Sequence, residues 1–447
     1  MKKERNIFSI IESIPDDRVF LDDGHKTITY GQLKDRTRQL ERDLSPLEGK
    51  ICAITSDSKM SLACYLPVLS KVCRGLYLQP SGLSSEYLTD LYKEIGVSYR
   101  LDLRDNKFYL EKISDINSKE VLASGIILST SGTSGQPKVL SYSLSSLMSK
   151  TKVDINRGSD FNWGLCYDLN RFAGLQVYLQ AVSSGSTITP LKTCMPVAEQ
   201  VDMCIRTGVN AISATPSYWR QLVMAPQLNK LNMRLITLGG EIADQSILTA
   251  LRKAFPETRI VHIYASTEAG VGFSVKDGKE GFSLDRVQLE NTNLSLKVID
   301  NVLFIRSNSS AESILYGKID IDGEGFIDTG DLVEKKEDRY IFKGRVSGTI
   351  NVGGNKVLPE EIEKVLNSHP AVLISRVYPK KNSILGALVC AEVVLNAAVD
   401  NASFKNIDSQ LKSCCKELLE PFKVPAIIKQ VDNIEVSTAG KIIRSYE

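Results

Sequence analysis

The stretch GIILSTSGTSGQPK, residues 125–138, joins a short apolar run to a loop of hydroxyl-bearing residues and glycines. The apolar residues 125–128 predict a buried strand, and the loop after it can place N–H and O–H donors around phosphate oxygens. Lys138 adds a positive charge at the end of the loop. The loop is not a Walker A sequence, because Pro137 precedes the lysine and no Ser or Thr follows it. Composition alone also allows a flexible surface loop without a ligand.

Apolar strands of the same kind recur on both sides of this stretch and alternate with helical patterns. The strands are predicted at 27–30, 51–54, 211–214, 234–238 and 259–263, and the helices include 60–72 and 245–254. Such alternation predicts parallel βαβ units, whose ligand sites lie at the carboxyl ends of the strands.

The pattern changes after about Ser283. Residues 296–305 and 339–342 alternate between apolar and polar side chains, which predicts antiparallel strands. A last segment starts near Val346 and contains a helix that begins at Pro359, a residue favoured in the first helical turn.

Together these patterns predict an α/β fold of two domains. Residues 1–344 would form a large N-terminal domain of βαβ-type parallel sheets with an antiparallel β subdomain. Residues 345–447 would form a small, mobile α+β C-terminal domain, with a strand at 387–394 and an amphipathic helix at 407–419.

Composition and charge exclude several classes of protein. The 447 residues are 43% hydrophobic and 24% charged, as expected of a globular chain with two or three domains. Because 55 Lys and Arg nearly balance 53 Asp and Glu, no net field favours nucleic acid or an anionic membrane. No apolar run approaches the ~18 residues of a membrane span, and the first residues do not resemble a secretion signal. We therefore expect no nucleic-acid partner, no membrane span and a cytoplasmic location.

Four further segments carry side chains that suit a nucleotide. Tyr264-Ala265-Ser266-Thr267-Glu268 offers a ring for a purine, a hydroxyl for a phosphate and a carboxylate for Mg²⁺. Gly239-Gly240-Glu241 lets backbone approach a flat ligand. Asp331 can accept from two ribose hydroxyls, with Arg345 nearby, and Lys441 follows a glycine near the C-terminus. Taken singly, each also fits an ordinary turn or a solvated surface charge.

The order and spacing of these segments resemble the adenylate-forming superfamily. That superfamily includes acyl- and aryl-CoA ligases, the adenylation domains of peptide synthetases and firefly luciferase. The resemblance covers the chain from about Thr27 to Arg444. It rests on the Ser/Thr/Gly loop, Tyr-x-x-Thr-Glu, Thr-Gly-Asp, Gly-Arg with its Gly-Gly loop and Pro-x-Glu-Ile-Glu helix, and the C-terminal Gly-Lys.

The resemblance implies that ATP activates a carboxylic acid as an acyl-adenylate, with release of pyrophosphate, and that the acyl group passes to a thiol, most simply that of CoA. It implies that the first loop holds the β- and γ-phosphates through Thr130, Ser131, Gly132, Thr133, Ser134, Gly135 and Lys138. By the same resemblance, Thr267 would contact the α-phosphate and Glu268 would hold Mg²⁺. Tyr264, Gly240 and Glu241 would contact adenine, and Asp331 and Arg345 would hold the ribose. Lys441 would act in catalysis at the α-phosphate and the substrate carboxylate.

The chain also departs from the superfamily's pattern. Ser347, followed by Gly348, stands where many relatives have the hinge Asp. Before Ala173-Gly174, in the segment that would form the acid pocket, Arg171 replaces the His of many CoA ligases. Arg171 would bind a second carboxylate or polar group of the substrate, or form a salt bridge at the pocket rim. Asp168 is out of register with the Asp that holds the amine in amino-acid-activating relatives, which disfavours amino acid substrates. The length of the chain is similar to that of the compact succinylbenzoate-CoA ligases.

Two alternatives to a CoA ligase remain at this point. One is a stand-alone ligase that loads the phosphopantetheine arm of an acyl carrier protein. The other, from a different class, is an ATP-binding homologue without catalysis. The joint presence of Lys138, Glu268, Asp331, Arg345 and Lys441 disfavours the second alternative.

Overall fold

A computed structural model of the chain describes residues 6–105, 107–114, 124–130, 137–193, 195–288, 293–382, 386–396, 404–436 and 441–443. The helices of these ranges are α1 (Ile7–Ile11), α2 (Tyr30–Asp43), α3 (Lys59–Val72), α4 (Ser85–Ile95), α5 (Leu144–Leu147), α6 (Ile155–Gly158), α7 (Phe172–Ser184), α8 (Val197–Thr207), α9 (Pro216–Val223), α10 (Gln245–Ala254), α11 (Asp285–Gln288), α12 (Pro359–Ser368) and α13 (Phe404–Leu418).

Two large mixed sheets contain most of the strands up to Tyr316. The seven-stranded sheet contains β3 (Ile51–Ser56), β4 (Gly75–Leu78), β5 (Tyr99–Arg104), β6 (Lys107–Lys112), β7 (Gly125–Ser129), β8 (Val139–Tyr142) and β18 (Ser313–Tyr316) in the spatial order β18-β8-β7-β4-β3-β5-β6. Its four central strands, from β7 to β5, are parallel, and antiparallel strands close both edges.

The eight-stranded sheet contains β1 (Val19–Asp22), β2 (Thr27–Thr29), β9 (Asn162–Leu165), β10 (Thr187–Pro190), β11 (Ala211–Ala214), β12 (Leu235–Gly239), β13 (Arg259–Ser266) and β14 (Gly270–Val275). The order is β14-β13-β12-β11-β9-β10-β1-β2, with parallel pairing from β13 to β1. Parallel strands need crossover connections, and helices such as α10, between β12 and β13, provide them.

A third, antiparallel sheet follows. It contains β15 (Phe282–Ser283), β16 (Leu294–Ile299), β17 (Val302–Ser307), β19 (Ile327–Lys336) and β20 (Arg339–Arg345) in the order β15-β20-β19-β17-β16. The last part of the chain forms a hairpin of β21 (Ile350–Val352) and β22 (Asn355–Val357) and a sheet of β23 (Val372–Asn382), β24 (Gly386–Leu395) and β25 (Ile427–Gln430).

The hydrophobic cores follow the same division. The largest cluster joins both big sheets through α3 and α7, whose buried residues include Leu66 and Leu179. A separate cluster contains only residues between Ile350 and Ile428. The last part of the chain thus packs around its own core, in agreement with the predicted small domain. The predicted boundary between residues 344 and 345 stays a prediction.

Local signals in the sequence explain where many elements begin. Thr29 and Gln32 form a reciprocal capping box at the start of α2. Gly125 opens β7 at φ +76°, and a Cβ there would lie 2.2 Å from the carbonyl oxygen of Tyr142, so only glycine fits this position.

The predicted α/β class, the parallel strands and the antiparallel third sheet are confirmed. Two details differ from expectation. β13 runs to Ser266 because β14 pairs with it antiparallel, so Tyr264 lies in the strand itself. Tyr30, predicted to end the strand at 27–30, instead begins α2. Asp331 lies within β19. In the described part of the chain, no helix has the length and apolarity needed to cross a bilayer.

Candidate active site

The ends of the first predicted loop are held together at the carboxyl end of β7. The N–H of Thr130 donates to the carbonyl oxygen of Lys138 (2.8 Å), and the N–H of Lys138 donates to Thr130 Oγ1 (3.1 Å). These two hydrogen bonds hold the two ends of the loop together at the carboxyl end of β7. The predicted phosphate ligands Ser131, Gly132, Thr133, Ser134 and Gly135 lie outside the described residues.

Glu268 lies in the turn after β13, close to Lys138 at the end of this loop. Its Oε1 is 3.9 Å from Lys138 Nζ, and both side chains are half-buried. Burial raises the pKa of the Tyr142 hydroxyl, and the negative charge of Glu268 raises it further. Thr267, also half-buried, precedes Glu268 in the same turn.

Mg²⁺ prefers oxygen ligands and usually takes one or two carboxylates together with phosphate oxygens and water. Glu268 supplies one such carboxylate beside the loop. Because the described residues contain no group of three potential metal ligands, Mg²⁺ here would need phosphate oxygens or water to complete its coordination. One carboxylate beside the ends of this loop fits a Mg²⁺ that is held together with phosphate oxygens.

Asp331 and Arg345 are cross-strand partners on β19 and β20. Arg345 Nε donates to Asp331 Oδ1 at 2.6 Å, and the Tyr264 hydroxyl donates to Asp331 Oδ2, also at 2.6 Å. The ring of Tyr264 stacks nearly parallel to those of Phe273 and Phe342, with both centroid distances 5.2 Å. Burial and the charge of Asp331 raise the pKa of Tyr264 well above its ordinary value, so its hydroxyl stays protonated and donates. The carboxylate of Asp331 is thus held in a fixed orientation.

The charges of several of these groups act on Lys441, whose side chain lies against Gly240. Burial lowers the pKa of Lys441, the positive charge of Arg345 lowers it further, and the carboxylates of Glu241, Asp331 and Glu268 oppose this shift. The Lys441 side chain crosses Gly240, whose φ is +82° and where an added Cβ would contact Lys441 Cε at 3.5 Å. The structure therefore brings Lys441 beside predicted site residues that are up to about two hundred positions earlier in the chain.

Glu241, at the end of β12, makes contacts that its sequence position did not predict. Its Oε2 accepts from the N–H (3.1 Å) and the hydroxyl (2.6 Å) of Ser217, in the first turn of α9. Its Oε1 accepts from the N–H of Ile442 at 2.9 Å. The carboxylate thus joins a helix N-terminus to the residue that follows Lys441. The predicted contact of Glu241 with adenine stays a prediction.

The predicted acid-pocket segment forms the turn before α7. In the described part of the chain, the Arg171 guanidinium has no ion pair within 4 Å, and its buried Nε has no hydrogen-bond partner. Burial lowers the pKa of Arg171, and the charge of Asp168 opposes this shift. Asp168 itself lies 3.6 Å from Lys59 Nζ. A Cβ on Gly174 would lie 2.1 Å from the Asp168 carbonyl oxygen, so Gly174 lets the helix pack against this turn.

Sequence reasoning missed the residues that position the predicted ones. Ser217 and the phenylalanines at 273 and 342 have no ligand chemistry of their own, so no motif marks them. The start of α9 was recognisable, since Thr215 caps it and Pro216 is its first residue. The contact between the start of α9 and Glu241 depends on the order of strands in the sheet, which cannot be read from the sequence.

Comparison with known proteins identifies the family of the chain. The sequence profile described as AMP-binding enzyme matches residues 106–303, and the profile of the AMP-binding enzyme C-terminal domain matches residues 361–441. Together the two matches cover more than half of the chain. The chain therefore belongs to the AMP-binding enzyme family, the adenylate-forming superfamily that the motifs resemble.

Individual relatives are distant. The chain is 25% identical over 342 residues to 4-hydroxybutyrate–CoA ligase 1 of Metallosphaera sedula, a match that covers 70% of this chain and 60% of that protein. It is 26% identical over 342 residues to the D-alanine–D-alanyl carrier protein ligase of Staphylococcus aureus, covering 70% and 69% of the two chains. The structure of o-succinylbenzoate CoA synthetase from Bacillus subtilis, in complex with its acyl-adenylate intermediate, superposes with a TM-score of 0.72. That match has 18% identity and covers 99% of this chain and 98% of the other, which shows a shared fold.

Proposed function

We propose that this protein uses ATP to activate a carboxylic acid as an acyl-adenylate, releases pyrophosphate, and transfers the acyl group to the thiol of CoA. The observation that carries the proposal is the position of Lys441: it lies against Gly240, and the N–H of the next residue, Ile442, donates to Glu241 Oε1 at 2.9 Å. The charges of Glu241, Glu268, Asp331 and Arg345 all act on this lysine. These residues come from separate strands and turns and from the Lys441 region far along the chain, and one nucleotide with its acid would account for their convergence.

Each residue would bind a different part of the nucleotide, according to its charge and shape. Asp331, fixed by Tyr264 and Arg345, would accept from the ribose hydroxyls and orient the nucleotide. The loop from Thr130 to Lys138 would hold the β- and γ-phosphates, and Thr267 would contact the α-phosphate. Glu268 would hold Mg²⁺, which neutralises phosphate charge when bound.

Lys441 would carry the chemistry of the first step. A carboxylate is an anion and must approach the α-phosphate of a polyanion, so their repulsion raises the barrier. The ammonium of Lys441, placed between the carboxylate oxygen and the α-phosphate, would offset that repulsion and the charge that develops as pyrophosphate leaves. The adenylate then offers a better leaving group than hydroxide, so a thiol can attack the acyl carbon.

For the second step, residues 345–447 would turn as a lid about Ser347, which lies exposed in a short turn between β20 and β21. The hairpin of β21 and β22 turns at Gly353 and Gly354, with φ of +59° and +88°. This hairpin would line the path of the thiol arm, since glycines let backbone approach a thin ligand.

The charges near Arg171 favour an acid over an amino acid. The substrate ammonium of an amino acid needs an unpaired carboxylate, whereas Asp168 lies 3.6 Å from Lys59 and Arg171 adds a further positive charge. A ligase for an acyl carrier protein is the second candidate, because the D-alanyl carrier protein ligase is a similar relative.

ATP–pyrophosphate exchange tests the proposal. Benzoate, butyrate, octanoate and succinate are offered separately with ATP and Mg²⁺, and the acid with the fastest exchange is then incubated with CoA or with a holo-acyl carrier protein. Acid-dependent exchange followed by a CoA thioester supports the proposal. A thioester on the carrier protein alone supports the second candidate, and ATP binding without exchange for any acid contradicts both.

A further inference from the structure

The site contains a contact that a nucleotide pocket alone does not require. Glu241 was expected to face adenine, yet both of its carboxylate oxygens bind protein donors. One of these donors, the N–H of Ile442, belongs to the segment that carries Lys441. We call residues 441–443 the Lys441 segment.

We propose that Glu241 is the positioning residue that docks the Lys441 segment for adenylation and releases it for thioester formation. This inference rests on the proposed function, because it assigns Glu241 to the first of the two half-reactions. Glu241 itself would make no bond to the reacting atoms.

The large-domain side of the contact is rigid. Ser217 is buried, and its N–H and hydroxyl both donate to Glu241 Oε2. The N-terminal end of α9 also carries a partial positive charge that favours a carboxylate at this position. The side chain of Glu241 is therefore oriented before the Lys441 segment arrives, and Oε1 is left to accept from it.

The other side of the contact is anchored as well. Ile442 forms a β-bridge with Val436, and the N–H of Ile443 donates to the carbonyl oxygen of Glu435. Arg376, on β23, donates from Nη1 to the carbonyl oxygen of Ile443 at 3.1 Å. These bonds tie the Lys441 segment to β23, while the side chain of Glu241 accepts the N–H of Ile442.

Glutamate suits this task better than its neutral analogue. A carboxylate accepts on both oxygens, so it can serve Ser217 and Ile442 together. In Glu241→Gln, one oxygen becomes an NH₂ donor, which would face either the N–H of Ile442 or that of Ser217. The variant keeps the size of the side chain and loses one of the two connections as well as the charge beside Lys441.

The first test needs no knowledge of the acid. The protein is treated with N-acetoxysuccinimide, and acetylation of Lys441 is followed by mass spectrometry relative to exposed Lys253. We expect Glu241→Gln to raise the relative rate at Lys441 at least several-fold, and Ser217→Ala to raise it less. The matched control is Glu280→Gln, because Glu280 also bonds a residue of the last part of the chain, Lys364 (2.7 and 2.9 Å), away from Lys441. An unchanged rate at Lys441 in Glu241→Gln overturns the proposal.

The second test separates the half-reactions, using the best acid of benzoate, butyrate, octanoate and succinate. We expect Glu241→Gln to slow ATP–pyrophosphate exchange by about 10- to 100-fold, the range for losing a hydrogen bond that involves a charged group. Conversion of the preformed acyl-adenylate to its CoA thioester should change by less than about twofold, since Glu241 has released the Lys441 segment by then. Equal slowing of both half-reactions would indicate a general structural role and overturn the proposal.

A double-mutant cycle shows whether Glu241 acts through Lys441. If it does, Glu241→Gln costs little further exchange once Lys441→Ala is present, whereas independent roles give multiplicative losses. If Lys441→Ala itself exchanges at the wild-type rate, the role given to Lys441 fails, whereas absence of acid-dependent exchange in the wild type means that the proposed function fails. If Lys441→Ala is impaired and Glu241→Gln is not, only the present inference fails.

Discussion

The hydroxyl of Tyr264 offers a sharp test of how the nucleotide is held. Tyr264→Phe removes one oxygen and keeps the ring that stacks with Phe273 and Phe342. The lost bond is a 2.6 Å donation to Asp331 Oδ2, whose carboxylate keeps its bond from Arg345. The substitution therefore changes how firmly Asp331 is oriented without removing it.

The size of the effect follows from the charge and exposure of Asp331. A hydrogen bond to a charged group contributes about 1.5–3 kcal/mol. The Asp331 side chain is 15% exposed, so water replaces part of the loss. We therefore expect about 1–2 kcal/mol, which corresponds to a rise of about 5- to 30-fold in KM for ATP. The kcat should change little, because the ribose contact is the same in the ground and transition states.

The assay compares ATP with 2′,3′-dideoxy-ATP in acid-dependent pyrophosphate exchange. Dideoxy-ATP lacks the hydroxyls that Asp331 would accept from, so Tyr264→Phe should leave its KM almost unchanged. Tyr340→Phe, on β20 in the same antiparallel sheet as Asp331, is the matched control and should resemble the wild type. Equal increases in KM for both nucleotides, or none for ATP, would refute the role given to Asp331 and its partners.

Three further predictions concern the charges of the site and of its support. Burial and the charge of Arg345 lower the pKa of Lys441, so kcat/KM for ATP should fall as the pH rises, with a midpoint below the ordinary lysine pKa of about 10.4. Lys441→Arg should move this fall to higher pH. An identical pH profile in the variant would contradict the role given to Lys441. Glu268→Gln should lower exchange by about 10²-fold or more. It should also raise the Mg²⁺ concentration needed for the half-maximal rate, which a magnesium titration measures. An unchanged Mg²⁺ concentration at half-maximal rate would contradict Glu268 as the ligand. Burial acts to raise the pKa of Asp244, but the charge of Arg220 and the hydrogen bonds to the carboxylate outweigh burial and lower that pKa. The pair therefore stabilises the fold at pH values above the ordinary carboxyl pKa. This stabilisation is lost as the pH falls through the lowered pKa of Asp244. At pH 7, Asp244→Ala should lower the free energy of unfolding, measured with urea, by about 3–5 kcal/mol. Asp17→Ala, a change at an exposed residue, should lower it by less than about 0.5 kcal/mol. Equal losses would contradict the stabilising role of the buried pair.

Much of the fold could be predicted from the sequence, because it depends on local periodicity. The helix expected at residues 245–254 is present with those bounds, since its apolar residues recur at helical spacing and Asp244 caps it. The strand at 259–263 was predicted too short. Its extension to Ser266 depends on pairing with β14, which is a tertiary event.

The candidate site divides in the same way. Residues with ligand chemistry, such as Asp331 and Lys441, could be identified from motif and order. The connections of Glu241 to Ser217 and Ile442 could not, because the partners are 24 and 201 positions away in the chain. Such contacts depend on the order of strands in the sheet and on the placement of the last residues.

Acid-dependent ATP–pyrophosphate exchange by Lys441→Ala tests the central claim most directly. If Lys441 offsets the charge at the α-phosphate, exchange falls by about 10²- to 10³-fold, the range for losing one preorganised donor to a developing charge. Lys429→Ala, an exposed change on β25, should exchange at the wild-type rate. Near-normal exchange by Lys441→Ala would contradict the account, because the convergence of charged groups on this lysine would then serve no step of the reaction.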